Sequence, residues 1–492
     1  MGGDWTRRLS RARFGWLLAA IFLLAVALRI LAAWPFAVEH PDEVLQYLEP
    51  AYHLATRGPW VQTWEQYEGM RSWLLPGLIA GPMWLGKTLD PGGTLDLLLP
   101  RLVFAACSLL LVAAAVRIGS LASRLHALVA GLATATWFEL VYMAPRLLSE
   151  NLSTVAILFG AAVLLKPWER LGSWSDVLAG ALLGLGFVLR IQHGPAIAAL
   201  VLIAVPRAEL RRYLPLLAGG VAALALDGAV AVAAGQAPFA WIVSNVMRNV
   251  VEGRSADFGT SPPWQYLLLI NRRWWLAAVP LLILAGIGAR RSPPLAAAAL
   301  VNFLVHSIIP HKEWRFIWLT LAIVVILAAM GSVELWLRTD VRRRRSVAVL
   351  LVAGWMAATS LLHRPQSAGL IGPPELAVAR YAGQIDRSCA VGIYDFSYLN
   401  VSSHALSNAP MPFAVYDDEA TAAAALSRDA RALGSVILYP RDLPLLGSGF
   451  PDRRCFRDPH FGPICVARHP GPCSGTIDPK NALQARMLAS GV

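Results

Sequence analysis

Residues 7–43 read RRLSRARFGWLLAAIFLLAVALRILAAWPFAVEHPDE. Arg7, Arg8, Arg11 and Arg13 precede an apolar run over residues 16–34, long enough to cross the bilayer core as a helix. Arginines ahead of a first span place the N-terminus in the cytoplasm. A cleaved signal peptide is the plain alternative, but the run is long, contains Arg29, and shows no small-residue cleavage site before Trp34-Pro35. It reads as a retained anchor, and His40-Pro41-Asp42-Glu43 as the opening of an outward-facing loop.

Ten further apolar stretches follow, at about 97–116, 126–144, 150–165, 176–190, 191–206, 213–234, 265–289, 294–310, 314–337 and 346–362. The connections that parity places inside are Arg117 to Arg124, Lys166 to Arg170, Arg207 to Arg212, Arg290-Arg291 and Arg338 to Arg345. All carry Lys or Arg, so charge and parity agree. Composition points the same way: 56% of the 492 residues are hydrophobic and 15% charged, against roughly 25% charged in soluble domains. The net charge of +12 would fit nucleic acid if it formed a face or stripe. It sits instead in short loop clusters, so no nucleic-acid partner is expected.

After residue 362 the chain changes character. Cys389-Ala-Val-Gly-Ile-Tyr and Ser435-Val-Ile-Leu-Tyr read as buried strands around an Ala-rich helix over 417–433. Cys389, Cys455, Cys465 and Cys473 all fall here. They suggest two disulfides, with three possible connectivities, in an outward-facing domain. Zinc is the runner-up, weakened by the lack of a CxxC pair. The expected fold is therefore an all-α polytopic membrane bundle of about 11 helices over residues 1–362, followed by a small extracytoplasmic α/β domain over 363–492. Asn151-Leu-Ser and Asn400-Val-Ser match the glycosylation sequon.

The polar constellations fall on the outer side. In the 35–96 loop, Asp42, Gln46, Glu49 and His53 share one helical stripe, opposite Val44, Leu48, Ala51 and Ala55. This predicts a helix lying flat in the interface, apolar side to lipid and carboxylates to a cavity. Thr63-Trp64-Glu65 and Arg71-Ser72 follow, before a Gly/Pro-rich stretch over 73–89 that reads as re-entrant or interfacial. Arg146, Glu150 and Asn151, and then Arg190, Gln192 and His193, add polar groups at the same depth. The loop Asp257 to Trp264, with Tyr266, imposes a turn bearing aromatics. His311-Lys312-Glu313-Trp314-Arg315-Phe316 puts cations at a helix start, against the dipole, and an anionic ligand such as a phosphate would offset that cost. Lipid headgroups alone would satisfy the same cations.

Taken in order, these strings resemble glycosyltransferase family 22, which includes the GPI-anchor and endoplasmic-reticulum N-glycan mannosyltransferases. His40-Pro-Asp-Glu with Gln46, Glu49, Thr63-Trp-Glu and Arg71-Ser is similar to the family's first luminal loop. His311-Lys-Glu-Trp-Arg-Phe is similar to its HKExRF motif. Phe258-Gly259 with Pro263-Trp264 and Tyr266, and Arg146-Leu-Leu-Ser-Glu, match two further segments. The resemblance covers about 15–365 and implies a GT-C fold that transfers mannose from polyprenyl-phosphate-mannose to an outer-face glycan or glycolipid. It implies Asp42 as catalytic base with Glu43 beside it. His311, Lys312, Arg315, Arg146 and Arg190 would hold the donor, and Glu65, Arg71, Trp264, Tyr266 and Gln192 would position the acceptor. A single displacement gives an α-linked product.

No cofactor is required on this reading, because cations stabilise the leaving phosphate; no metal ligand is assigned, and a divalent metal stays open. A glycolipid transporter without chemistry, or a transferase of another prenyl-linked sugar such as arabinose, are the competing readings. The Ala/Arg-rich composition suggests a bacterial inner membrane with the site facing the periplasm; in a eukaryote it would face the endoplasmic-reticulum lumen.

Overall fold

The computed structural model describes residues 10–361, 371–417, 421–458 and 462–490. Arg7 and Arg8, the boundary at 362/363 and residues 418–420 of the expected Ala-rich helix lie outside the described residues. The chain forms two compact units. One takes in the described residues of 1–33, 72–74 and 102–364, the other those of 34–71, 75–101 and 365–492.

The first unit is helical. Among the described residues of the whole chain, five helices are long and apolar enough to cross a membrane: Arg11–Ala33, Leu95–Gly119, Arg207–Ala233, Gln265–Ala289 and Trp314–Arg338. Shorter apolar helices cover Ser149–Leu165, Trp174–Leu189, Ile191–Ala204 and Pro293–Ile308. The expected 126–144 span is broken at Trp137, between Arg124–Thr136 and Phe138–Met143. The 265–289 span turns at Trp275, whose φ is +42°. Trp318–Arg338 is the unit's centre, with every residue from Trp318 to Glu334 buried.

Close helix packing here follows from small residues, which let backbones approach where apolar surroundings give no hydrophobic drive. A Cβ on Gly331 would sit 1.8 Å from the Leu284 carbonyl, and one on Gly180 1.9 Å from that of Leu216. Arg29 is also explained: it turns inward and is buried. Its Nε donates to Ser108 Oγ at 2.8 Å, and its Nη atoms donate to the carbonyls of Ala25, Ala135 and Thr134.

The second unit is built on a five-stranded sheet of order β2-β1-β3-β5-β4, with β1 Ala390–Tyr394, β2 Phe413–Tyr416, β3 Leu433–Leu438, β4 Asp452–Asp458 and β5 Gly462–Arg468. β2, β1 and β3 run parallel, while β5 and β4 are antiparallel. Alternate residues feed two cores. Val391, Ile393, Val415, Ile437 and Val466 face one, and Ala390, Tyr416, Val436 and Leu438 face the other. Both faces are covered, as parallel pairing requires. The disulfides are Cys389–Cys473 and Cys455–Cys465. β2, β4 and β5 escape the sequence reading: β2 is only four residues long and follows Pro410 and Pro412, while β4 is a charged edge, DRRCFRD.

The loop after the first helix belongs to this unit. Leu45 and Val61 join the sheet core, which corrects the expectation of a helix lying flat against lipid. Val44, Leu48 and Ala51 are all at most 1% exposed and pack inside the protein. Glu43–Leu48 forms a π-helical turn before the α-helix Glu49–Thr56. The i→i+5 bonding of that turn inserts a residue into the helical repeat, so the 100°-per-residue stripe from Asp42 to His53 does not survive. The 73–89 stretch forms one helix, Leu74–Leu89, with Pro82 inside it.

Candidate active site

Two polar groups carry the candidate residues, one in each unit.

In the second unit, Asp42 opens the π-turn and remains partly exposed, its Oδ1 3.3 Å from His40 Nδ1. Glu43 is buried and turns back, Oε1 accepting the Glu39 amide at 2.6 Å, so it anchors the turn. Arg71 grips Glu65 with both arms, Nη2 to Oε1 at 2.6 Å and Nε to Oε2 at 3.2 Å. Gln46 also bonds Glu65. Burial by itself would lower the Arg71 pKa, but Glu65, Tyr47 and Asp42 outweigh it and raise the value. Arg71 is therefore a fixed cation in the field of Asp42. Thr63 and Gln66 form the capping box that sets the Trp64–Tyr67 helix carrying Glu65.

Glu49, expected on the cavity stripe, is a structural tie instead. Fully buried, it accepts hydrogen bonds from the Val61 amide (2.9 Å), Ser403 Oγ (2.5 Å), His404 Nδ1 (3.0 Å) and the Ala405 amide (2.9 Å). Burial pushes its pKa up, and His404, Ser403 and Ala405 together pull it below the ordinary value.

In the first unit the cations gather on a buried carboxylate. Glu150 Oε1 receives Arg190 Nη1 at 2.9 Å and lies 3.4 Å from Arg315 Nη1. Glu313 bridges His311 Nε2 (2.9 Å) and Arg315 Nε (2.5 Å). The Arg190 and Arg315 guanidinium groups lie 4.8 and 5.3 Å from the Phe316 ring centre. Lys312 donates to the Ile309 carbonyl at 2.5 Å and faces the buried ring of Tyr266 at 5.9 Å. Its pKa is lowered by partial burial. Arg146 is buried, with its guanidinium 4.2 Å from the Tyr142 ring centre.

Glu150 and Glu313 supply part of the offset that the sequence reading assigned wholly to a ligand.

The aromatic turn divides. Phe258 lies 5.9 Å from the His311 ring and the Ser261 amide bonds the Pro310 carbonyl, while Trp264 is 61% exposed. Gln192 is half-buried on the turn Ile191–His193. His306, which drew no notice in the sequence, pairs with His193 at 6.2 Å and with Phe316 at the same distance. Asn151 donates to the carbonyls of Met143, Ala144 and Arg146 and clamps their turn. Asn151 and Asn400 are both 4% exposed, so neither sequon asparagine is open to a glycan in this fold. Among the described residues no group of three His, Cys, Asp or Glu side chains is arranged to hold a metal.

The fold matches ArnT from Cupriavidus metallidurans bound to undecaprenyl phosphate, with TM-score 0.62 and 13% identity over 94% of this chain and 99% of that one. It also matches the oligosaccharyltransferase of Archaeoglobus fulgidus, with TM-score 0.54 and 13% identity over 99% of this chain and 78% of that one. At such identities the likeness is one of fold, and the class is a mostly helical membrane protein of the GT-C type. The model of the Alg9-like mannosyltransferase family matches residues 20–372, and the chain belongs to that family. GPI mannosyltransferase 3 of Yarrowia lipolytica is 29% identical over 303 residues, 59% of this chain and 57% of that protein. A Dol-P-Man:Man(7)GlcNAc(2)-PP-Dol alpha-1,6-mannosyltransferase of Saccharomyces cerevisiae is 29% identical over 122 residues, 24% of this chain and 22% of that protein. The chain thus aligns with less than two thirds of the length of these relatives.

Proposed function

We propose that this protein is an inverting mannosyltransferase. It moves mannose from polyprenyl-phosphate-mannose to a hydroxyl of an extracytoplasmic glycan or glycolipid. The observation that carries the reading is the Glu150-centred cluster, in which Arg190 and Arg315 are held together at buried positions beside the Phe316 ring. A phosphate ester that gains charge as it leaves is stabilised by cations already held in place.

In this mechanism Asp42 accepts the proton of the acceptor hydroxyl, whose oxygen forms a bond to C1 of the sugar. The bond from C1 to the phosphate oxygen breaks, and its electron pair departs with the polyprenyl phosphate. One displacement turns a β-linked donor into an α-linked product. Arg71, held by Glu65, places a fixed positive charge in the field of Asp42. Family membership supports mannose as the sugar. The basic inner connections support a site on the outer face, which in a bacterium is the periplasmic face of the inner membrane.

The test is reconstitution in vesicles with polyprenyl-phosphate-[14C]mannose, alongside the corresponding arabinose donor, and a lipid-linked glycan acceptor. Label should enter the acceptor from the mannose donor only, in a form that α-mannosidase releases. Translocation of donor without transfer, or transfer from the arabinose donor alone, overturns the assignment.

A further inference from the structure

Within the helical unit, the helices Arg124–Thr136, Trp318–Arg338 and Arg344–Leu361 enclose a groove of about 560 Å3, inside the range of roughly 300–1,000 Å3 typical of small-molecule sites. Its walls include Val129, Leu132, Val333, Leu351, Val352 and Met356. Leu132, Val352 and Met356 stay largely exposed.

Four of the six polar side chains on its walls, all but Thr359 and Ser360, have hydrogen-bond partners among the described residues. Thr136 Oγ1 donates to the Leu132 carbonyl, Ser332 Oγ to the Ala328 carbonyl, Trp355 Nε1 to Ser332 Oγ, and Trp336 Nε1 to the Arg344 carbonyl. Such a groove offers an occupant dispersion contacts and desolvation of apolar surface, with few hydrogen bonds.

One end of the groove is strongly basic. Trp336, on the wall, carries the Arg344 guanidinium 5.5 Å from its ring centre. Arg342, Arg343 and Arg345 are exposed beside it, and among the described residues their side chains form no ion pair. Asp340 lies in the same turn and accepts the Arg342 amide. Arg338 is engaged with Glu334 at 3.5 Å. The excess of arginine marks this as the cytoplasmic end. An aliphatic slot that ends in arginines at the headgroup layer is complementary to one chemistry, an acyl chain joined to an anionic head.

We propose that this groove is a binding site for an anionic diacyl phospholipid of the cytoplasmic leaflet, with an acyl chain between the three helices and its phosphate against Arg342, Arg343 and Arg345. The site uses none of the residues assigned to sugar transfer, so it stands or falls independently of the proposed reaction.

The full chain, purified in neutral detergent and stripped of lipid, is titrated with phosphatidylglycerol or with phosphatidylcholine of the same chains. Binding is read by native mass spectrometry and by the unfolding midpoint. Phosphatidylglycerol should bind one per chain and raise the midpoint by roughly 3 °C at a hundredfold excess over Kd, while phosphatidylcholine should do markedly less. In the triple variant Arg342→Gln, Arg343→Gln, Arg345→Gln the difference between the two lipids should vanish. Met356→Trp, which fills the slot, should lose both. Equal response to the two lipids, an unchanged lipid preference in the triple variant, occupancy by a polyprenyl phosphate instead, or burial of the groove in a dimer would each overturn the proposal. If Met356→Trp fails to fold, the triple variant decides.

Discussion

Glu150 Oε1 stands 2.9 Å from Arg190 Nη1, and both side chains are buried. This carboxylate organises the cationic cluster of the helical unit, because Arg315 also reaches it at 3.4 Å. A buried ion pair adds little stability over an apolar replacement, yet removal of one partner strands the other at a cost of about 3–5 kcal/mol. Glu150→Ala should therefore lower the unfolding midpoint strongly and weaken donor binding. Adding Arg190→Ala should restore part of the lost stability, a positive coupling read from a double-mutant cycle. Strictly additive losses would mean that the pair is not coupled.

The two neighbouring acids of the first loop should behave differently. Glu43 is committed to the Glu39 amide, and Gln at this position keeps an acceptor oxygen, so Glu43→Gln should retain most of its turnover. Asp42→Asn should lose about 10²- to 10⁴-fold in kcat, the usual contribution of a general base. Steady-state kinetics on the two variants, with membrane insertion checked in parallel, separates their roles.

Glu49 sets the acid limit of the sheet-bearing unit. Its folded pKa is below the ordinary glutamate value, which is about 4.3 in the unfolded chain. Its contribution is thus fully present above that unfolded value and is lost as pH falls through the lower folded one. Unfolding midpoints between pH 7 and pH 3 should drop in the wild type through that window. Glu49→Gln should be less stable at pH 7, by about 3–5 kcal/mol, and should show a flatter acid dependence.

The two disulfides should differ in weight. Cys389–Cys473 joins residues 84 apart and Cys455–Cys465 residues 10 apart. In the chain-entropy relation these loops are worth about 4.6 and 2.7 kcal/mol. Cys389→Ser should therefore cost more stability than Cys455→Ser in denaturant titrations, and the reducing agent should abolish the difference.

Much of this fold is legible in the sequence, for physical reasons. Long apolar runs form helices wherever backbone bonds cannot go to water, so the eleven stretches are mostly helical where described, and five of them are long and apolar enough to cross a membrane. The cationic strings around Arg146, Arg190 and His311 converge within one unit. What the sequence hid was the partner of each charge. Glu150 and Glu313 sit inside recognised motifs, but nothing in their spacing says that they neutralise Arg190 and Arg315. Glu49 looked like a member of an acid stripe because a regular 100° repeat was assumed, and the π-turn over Glu43–Leu48 breaks that repeat. Its partners Ser403, His404 and Ala405 lie more than 350 residues away. On the expected lipid-facing side of the same helix Val44, Leu48 and Ala51 are buried within the protein, long-range packing that local periodicity does not encode.

The most direct check on the reaction is single-turnover transfer by Asp42→Asn and by the double variant Lys312→Ala, Arg315→Ala, each with labelled polyprenyl-phosphate-mannose. Asp42→Asn should bind donor with wild-type affinity and leave the label on the lipid, while the double variant should bind donor poorly. Wild-type transfer by Asp42→Asn, or wild-type donor affinity in the double variant, would contradict the assignment.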